Sequence, residues 1–255
     1  MGDVKQLIIL ASALFASCVV ALTTFAGPES LPSGKEMKEV APAPLPECNW
    51  TGFYVGATAG GQFGHSEDFD LDGYWSHPGW GYRESGALFG GEFGYNLQIG
   101  RWLVLGPEFD AGYMDLKGSG EDPNTNFSGG PNFGESDSNF YTTLRGRVGV
   151  PLDWHGCWLV YATGGGIGVN YYTKDYDPNE NFVGSRTDFD WGYTVGGGIE
   201  RKIGTRWSIK LEYLYFDVDT QHFTGHSPTF EPQNTFRFDG ETAGNIVRAG
   251  LNFHF

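Results

Sequence analysis

Basic residues are scarce in this chain, which has 16 Lys and Arg against 31 Asp and Glu and a formal net charge of −15. A protein of that charge repels a phosphate backbone, so we expect no nucleic-acid partner. Charged residues of both signs make up only 18% of the chain, whereas aromatic residues make up 16%. That aromatic content is too high for a disordered protein, and together with 40 Gly residues it favours an all-β fold.

Long apolar runs are also absent, with one exception near the start. Residues 7–22 form a 16-residue apolar run, which is shorter than the ~20 residues of a membrane-spanning helix. Lys5 precedes this run, and small residues ending at Ala26 follow it at the spacing of a cleavage site. We therefore predict a secretory signal peptide over residues 1–26, with a membrane anchor and a lipoprotein cut before Cys18 as alternatives.

Cysteine is rare too, with three residues, of which Cys18 falls in the predicted leader. Cys48 and Cys157 remain, an even number in a compartment that is expected to be oxidising. Residues 27–49 contain five prolines and little apolar content, which predicts an extended periplasmic linker. The folded domain is predicted over residues 50–255.

Apolar and polar residues alternate from residue 52 onward, which is the period of a β-strand. The alternation predicts eight strands, over residues 52–64, 85–97, 102–116, 139–152, 157–171, 188–201, 207–218 and 243–255. Three short turns alternate with four long polar segments, over residues 65–84, 117–138, 172–188 and 217–241. Strands of this length can cross a membrane at a tilt, and short turns on one rim with long loops on the other are typical of membrane barrels. We therefore predict an all-β fold, an eight-stranded antiparallel transmembrane β-barrel.

In such a barrel the apolar face of each strand contacts lipid and the polar face lines the lumen. For the fifth predicted strand, this rule places Leu159, Tyr161, Ile167 and Val169 outward and Ala162, Gly164 and Gly166 inward. Tryptophans near strand ends are expected at the lipid headgroups, with ordinary packing as the alternative for each of them. They are Trp50, Trp102, Trp158, Trp191 and Trp207. Cys48 precedes the first strand by four residues, a reach of ~13 Å, so a disulfide to Cys157 across the barrel mouth is one of two open alternatives.

The polar faces carry five acids and four bases whose charges nearly cancel. They are Glu92, Glu108, Asp110, Glu200 and Glu212 together with Arg145, Arg147, Lys210 and Arg248. An eight-stranded barrel is only wide enough for side chains to fill its interior. We therefore predict that these charges form a structural network of salt bridges, and we keep an ion pathway as the alternative.

The four long segments are strongly acidic, with 18 acids and 5 bases. We expect four acidic extracellular loops that form a solvated, repulsive surface or bind divalent cations bridging to lipopolysaccharide. Asp68, Asp70 and Asp72 match the first half of a calcium-loop pattern, but Gly79 stands where the pattern needs its last acid. No cofactor is expected, with calcium at this segment as the alternative.

Several segments resemble, in order, the strands of small outer-membrane surface-antigen barrels, the OmpA-like and opacity-type "porin family" proteins. They are WTGFYVG (50–56), LRGRVG (144–149), YATGG (161–165), WGYTVGGGIE (191–200), KLEY (210–213) and VRAGLNF (247–253). The resemblance covers residues 50–255 and implies location in the outer membrane of a Gram-negative bacterium. It also implies that the terminal aromatic residues Phe253 and Phe255 are the signal read by the barrel-assembly machinery.

The chain contains neither a Gly-x-Ser-x-Gly nor a His-x-x-Glu-His pattern, and we predict that it is not an enzyme. A structural or surface-interaction role is our first hypothesis. A narrow porin-like channel for small solutes, an outer-membrane lipid-modifying enzyme and a soluble ligand-binding barrel are the alternatives. Expected partners are outer-membrane lipid, lipopolysaccharide, the barrel-assembly machinery and an unidentified extracellular ligand, and the protein is expected to be a monomer.

Overall fold

The computed structural model describes residues 48–72, 79–121, 133–152, 155–176, 183–226 and 235–255. The predicted signal peptide over residues 1–26 lies outside these ranges, as does the predicted linker up to residue 47. Within the described ranges, no helix is long and apolar enough to cross a membrane.

The described residues form nine strands. They are β1 (Gly52–Asp70), β2 (Trp80–Ile99), β3 (Leu103–Met114), β4 (Leu116–Glu121), β5 (Phe133–Pro151), β6 (Trp158–Tyr176), β7 (Val183–Ile203), β8 (Trp207–His226) and β9 (Thr235–His254). Strands β3 and β4 together form one strand of the barrel that is interrupted at Asp115, since both pair with β2 and β5. The predicted third strand corresponds to β3, and β4 continues it into the predicted loop. All pairings are antiparallel, and β1 pairs with both β2 and β9, so the sheet closes into a ring. The predicted eight-stranded antiparallel barrel is confirmed.

Side chains alternate between a polar lumen and an apolar outer face, as the period of two requires. On β2, for example, Phe89 and Phe93 are exposed on the outer face while Glu92 is buried in the lumen. The same orientation holds for the predicted apolar faces of seven strands. Exposed apolar residues of this kind are the surface that a membrane barrel presents to lipid.

Strand β6, which corresponds to the fifth predicted strand, faces the opposite way from the prediction. Leu159, Tyr161, Ile167 and Val169 are buried in the lumen, and Ala162, Gly164 and Gly166 lie on the outer face. Directly opposed residues on neighbouring strands share a face of the sheet, so the neighbours decide which way β6 turns. Thr163 is paired with the luminal Arg147, and Leu159 with the luminal Glu200. The alternation of side chains along β6 was predicted correctly, but alternation alone does not determine which of the two faces lines the lumen.

The strands are also much longer than predicted, and this corrects the four predicted loops. Most described residues of the segments 65–84, 117–138, 172–188 and 217–241 continue the strands. On β1, for instance, Ser66 and Asp68 face the lumen while His65 and Glu67 face outward. Both faces are polar there, so the sequence loses its apolar alternation although the β structure continues.

The outer apolar band covers only the half of the barrel nearest the short turns. Its last exposed apolar residue on β1 is Phe63, and on β9 it begins at Val247. Above this band the outer face is polar, and we call that part of the strands the upper wall, over residues 65–70, 80–85, 116–121, 133–138, 171–176, 183–188, 217–226 and 235–243. We call the opposite end the turn rim, over residues 48–51, 100–102, 155–157 and 204–206. Gly100 and Gly204 have positive φ there, as tight turns require.

Candidate functional site: the filled lumen

Nine charged side chains meet inside the lower half of the barrel, each at most 4% exposed. They are Glu92, Glu108, Asp110, Glu200, Glu212, Arg145, Arg147, Lys210 and Arg248, the same nine that the sequence predicted to line the lumen. We call them the charge network. Arg145 is its centre, since its Nη2 lies 2.5 Å from Glu108 and 2.6 Å from Asp110, and its Nη1 lies 3.2 Å from Glu212.

Two further arginines extend the network across the lumen. Arg248 on β9 contacts Asp110 at 2.9 Å and Glu212 at 2.6 Å through Nη2. Arg147 on β5 contacts Glu200 on β7 at 2.6 Å. Arginine presents several N–H donors in a planar fork, so one buried guanidinium can pair with two carboxylates at once.

Lys210 completes the network, with its Nζ 2.6 Å from Glu92 and 3.2 Å from Glu108. Each of the five acids therefore contacts at least one base. The nine residues lie on β2, β3, β5, β7, β8 and β9, so the ion pairs cross-link most of the ring. His254 adds a further contact, since its Nε2 lies 3.6 Å from Glu200.

Two tyrosine hydroxyls that the sequence prediction did not include donate hydrogen bonds to carboxylates of the charge network. The Tyr54 hydroxyl donates to Glu108 at 2.6 Å, and the Tyr161 hydroxyl donates to Glu212 at 2.9 Å. Tyr54 lies on the polar face of the first predicted strand, so the alternation could have identified it. Tyr161 could not be found in that way, because its strand was assigned the opposite orientation.

A layer of apolar side chains fills the lumen above the charge network. It consists of Leu88, Met114, Leu116, Tyr141, Ile167, Val169, Tyr171, Leu214, Phe216, Val218 and Ile246. Each is at most 3% exposed, and we call this set the apolar layer. A narrow barrel has room for side chains only, so the charge network and the apolar layer close the lumen at two successive levels.

A second group of carboxyls lies in the lumen of the upper wall. Glu84 accepts hydrogen bonds from Ser66 at 2.8 Å and Tyr171 at 2.5 Å, and from Ser136. Every buried Lys or Arg of the described residues belongs to the charge network, so this level has no buried base. Hydroxyl donors take the place of cations around Glu84.

Asp68 and Asp175 lie in the same upper part of the lumen and are at most 2% exposed. Both carboxylate oxygens of Asp175 lack a hydrogen-bond partner among the described residues. Burial raises the pKa of Asp68 to about 7, and the negative charge of Glu84 acts in the same direction. An unpaired buried carboxyl is most stable when it carries a proton.

The Asp68 carboxyl is expected to make stability fall as pH rises. Its pKa in the unfolded chain is ~3.9, so the neutral form contributes fully below about pH 4, and the contribution is lost towards pH 7. When the pH is raised from 4 to 8, the wild type should therefore lose about 3 kcal/mol more of its free energy of unfolding than Asp68→Asn does. Urea unfolding of the protein in lipid vesicles at the two pH values measures this difference.

Asp72→Asn is the matched control for this prediction. Asp72 is exposed, and its hydrogen bonds from Arg237 lower the pKa of its carboxyl, so it does not titrate between pH 4 and pH 8. The control should keep the pH dependence of the wild type. An Asp68→Asn protein with that same dependence would contradict the assignment.

Over its described part the predicted calcium motif is mostly a strand, and calcium binding at this segment stays a prediction. Asp68 and Asp70 lie within β1 and pair with β9, whereas a calcium loop curls its backbone around the ion. Asp72 is paired with Arg237, with 2.7 Å between Oδ1 and Nη2. Residues 73–78 of the motif lie outside the described residues. In the part of the chain that the structure describes, no group of three or more His, Cys, Asp or Glu is placed to hold a metal ion.

The turn rim is held together by a disulfide and a buried tryptophan. Cys48 and Cys157 are joined, with 5.0 Å between their Cα atoms. Trp50 is completely buried, and its Nε1 donates to the carbonyl of Gly156 at 2.6 Å. Of the two alternatives for Trp50, the structure therefore shows packing inside the barrel mouth, two residues after the disulfide-bonded Cys48, and not a position at the lipid headgroups. Three of the other predicted tryptophans are exposed on the outer face, namely Trp102, Trp191 and Trp207.

One serine, one histidine and one carboxylate lie together at the lower end of the lumen. The Ser208 Oγ is 2.8 Å from Nε2 of His254 and donates to Glu200 at 2.5 Å. A catalytic triad needs the acid on the second ring nitrogen of the histidine, but here Ser208 and Glu200 both face Nε2. All three side chains are buried beneath the turn rim, so the arrangement connects β7, β8 and β9 rather than exposing a nucleophile.

Comparison with known proteins agrees with this architecture. The family described as "Outer membrane protein beta-barrel domain" matches residues 40–255. The chain belongs to this family. It is a protein of the outer membrane, as the names of its relatives and the closed antiparallel ring together indicate. The predicted resemblance to small outer-membrane surface-antigen barrels is confirmed.

Individual relatives cover most of the chain. A 31 kDa outer-membrane immunogenic protein of Brucella melitensis is 29% identical over 97% of this chain and 99% of its own length. A 22 kDa outer membrane protein of Rhizobium leguminosarum bv. viciae is 31% identical over 72% of each chain. The crystal structure of OprG from Pseudomonas aeruginosa matches with a TM-score of 0.53 and 16% identity, over 83% of this chain and 100% of that one. The last comparison shows the fold alone.

Proposed function

We propose that this protein is a closed, non-enzymatic structural protein of the outer membrane whose upper wall serves surface interactions. The observation that carries the proposal is the double closure of the lumen by the charge network and the apolar layer. A conducting pore needs a continuous water path, and here fully buried ion pairs join β5 across the lumen to β7 and β8.

The upper wall supports the second half of the proposal. Its outer face carries exposed charges of both signs on a hydrogen-bonded sheet, such as Glu67, Arg83 and Lys117. A rigid polar surface beyond the lipid can contact lipopolysaccharide or another cell. The name of the Brucella relative includes the word immunogenic, and we propose that this chain is likewise accessible at the cell surface.

Electrical recording tests the closure. The purified protein, refolded in detergent and inserted into a planar lipid bilayer, should give no stable conductance steps, because an ion would have to separate buried charge pairs. Folding of the sample before insertion is checked independently by the slower mobility of the unfolded chain after heating on a gel. A general porin added to the same bilayer afterwards shows that the membrane responds.

Regular single-channel steps from the wild type would contradict the closed lumen and favour the porin-like channel. A change in the mass spectrum of lipid A from cells that produce the protein would instead favour the lipid-modifying enzyme. Ser208→Ala is the informative variant in that case, because it removes the buried hydroxyl that contacts His254.

A further inference from the structure

The segment before β1 folds across the lower mouth of the barrel, and we call its residues 48–51 the flap. Within the flap, Trp50 is completely buried and packs against Val104 of β3 and Leu159 of β6. The Trp50 ring also meets the ring of His254 of β9 edge-on, with 5.8 Å between the ring centroids. These contacts reach luminal side chains on three sides of the ring of strands. The flap therefore covers the lower end of the lumen, beneath the charge network.

The flap is attached to the barrel at both ends. At one end Gly52 joins it to β1 with a φ of 142°, a conformation that residues other than glycine rarely adopt. At the other end Cys48 is bonded to Cys157, which directly precedes β6. While both ends are attached, the flap cannot turn out of the mouth. A flap attached only at Gly52 could turn about that glycine.

Between its two ends the flap is held by single hydrogen bonds at the mouth. The Cys48 N–H donates to the carbonyl of His155 at 2.7 Å, and the Lys202 Nζ donates to the carbonyl of Asn49 at 2.5 Å. The Trp50 indole adds the hydrogen bond described above. The net contribution of each such bond is small, because water can replace either partner when the bond opens. The covalent bond of Cys48 is therefore the strongest single constraint on the flap.

Buried polar groups without a partner lie directly above the flap. Both polar side-chain atoms of Asn96 and the Oδ1 of Asn252 are buried and lack a hydrogen-bond partner among the described residues. Asn96 is paired with Gly52, so it stands at the level where the flap joins the barrel. A buried polar group without a partner costs free energy, and water supplies the missing hydrogen bonds. These groups therefore favour the entry of water once the flap can move.

The disulfide is placed where another protein can reach it. Cys48 and Cys157 are both half-buried rather than enclosed. Thiol–disulfide exchange begins when a thiolate attacks one sulfur of the bond, so it requires access of this kind. The short turns of an outer-membrane barrel lie on the periplasmic side. A suitable partner for the exchange is therefore a periplasmic protein with two neighbouring thiols.

We propose that the Cys48–Cys157 bond is a reversible redox site, and that its reduction by a periplasmic dithiol protein opens the flap. A thiolate of the partner attacks one sulfur of the bond, forms a mixed disulfide and releases the other cysteine as a thiolate. The second thiolate of the partner then attacks the mixed disulfide and releases the remaining cysteine. The partner leaves as a disulfide after supplying two electrons and two protons, and Cys48 and Cys157 become thiols. The charge network lies above the flap, so the lower lumen opens while the level above it stays closed.

Alkylation of a buried thiol tests the opening of the flap. Ser208→Cys places a thiol at a completely buried position of the lower lumen. In the chain without the predicted leader, this is the only free thiol while the disulfide is intact. Its reaction with a small maleimide, followed by mass spectrometry of the folded protein in detergent, should be about tenfold faster in the Cys48→Ala/Cys157→Ala background. The reason is that local opening needs less free energy than global unfolding.

Leu214→Cys is the matched control, because Leu214 is equally buried but lies in the apolar layer above the charge network. Any faster reaction at this site measures a general loss of stability, so the acceleration at Ser208→Cys should be much the larger of the two. No acceleration at Ser208→Cys, or equal acceleration at the two sites, would overturn the proposal.

Reduction of the folded protein tests the redox site itself. Dithiothreitol, a small dithiol, should reduce the bond while the heat-dependent gel shift shows that the barrel is still folded, and oxidised glutathione should restore the bond. If the double alanine variant does not fold, the folded Ser208→Cys protein is reduced instead, and alkylation at position 208 is read from peptide masses. A bond that resists dithiothreitol until urea unfolds the barrel would overturn the proposal.

Discussion

Arg145→Ala is expected to lower the free energy of unfolding by about 3–5 kcal/mol, the largest effect of any single substitution that we propose. The side chain is completely buried and contacts Glu108, Asp110 and Glu212 within 3.2 Å. Its removal leaves five carboxylates facing three bases in a buried site, where the excess charge is costly. Urea unfolding of the protein in lipid vesicles, followed by tryptophan fluorescence, measures the loss.

Two comparisons identify the cause of this loss. Arg83→Ala removes an exposed arginine and should change stability by no more than about 0.5 kcal/mol. The double variant Arg145→Met/Asp110→Asn removes one charge of each sign and should regain part of the lost stability. Equal losses for the two single variants, or no recovery in the double variant, would show that the network is not held by charge pairing.

Removal of the disulfide is the second large effect. Cys48→Ala/Cys157→Ala should lower the free energy of unfolding by about 2–4 kcal/mol, because the bond closes a chain segment with a sequence separation of 109. Without this constraint the unfolded chain has many more conformations. The barrel itself should still form, since its hydrogen-bonded ring does not depend on the bond. Urea unfolding with and without a reducing agent measures the effect.

The reduced wild type serves as the matched control, because it lacks the bond and keeps both sulfur atoms. It should unfold at the same urea concentration as the double variant, while the oxidised wild type unfolds later. A double variant as stable as the oxidised protein would show that the bond constrains little in the unfolded chain. Loss of the heat-dependent gel shift in the variant would show instead that the bond is needed for folding.

Much of the fold could be predicted because the environment of a membrane barrel imposes a simple pattern of apolar and polar residues on the sequence. Lipid outside and a narrow lumen inside impose strict alternation, which is plain on β8, where Ile209 and Leu211 face outward and Lys210 and Glu212 face inward. Charged residues on the inner face can only meet one another, so their position on the strands was enough to group them. The individual contacts within the group depend on register, which alternation alone does not supply.

Other features depended on neighbours that a single strand cannot reveal. The orientation of β6 follows from its pairing with β5 and β7, and its own residues are compatible with either choice. Trp50 lies close to the bond between Cys48 and Cys157. The sequence left that bond as one of two alternatives, so the position of Trp50 could not be predicted from it. The strands beyond the lipid were hidden because His65, Ser66, Glu67 and Asp68 are all polar, whichever face they occupy.

Under the proposed surface role, the length of the strands determines what an antibody would meet on the upper wall. Strands of 19 to 21 residues, at about 3.3 Å per residue and a tilt of about 40°, extend roughly 25 Å beyond an apolar band of about 25 Å. Glu67 and Glu241 stand opposite each other on this surface, although they come from the two ends of the barrel sequence. Epitopes there combine residues from separate strands, so heating the protein should abolish them and short peptides should not reproduce them.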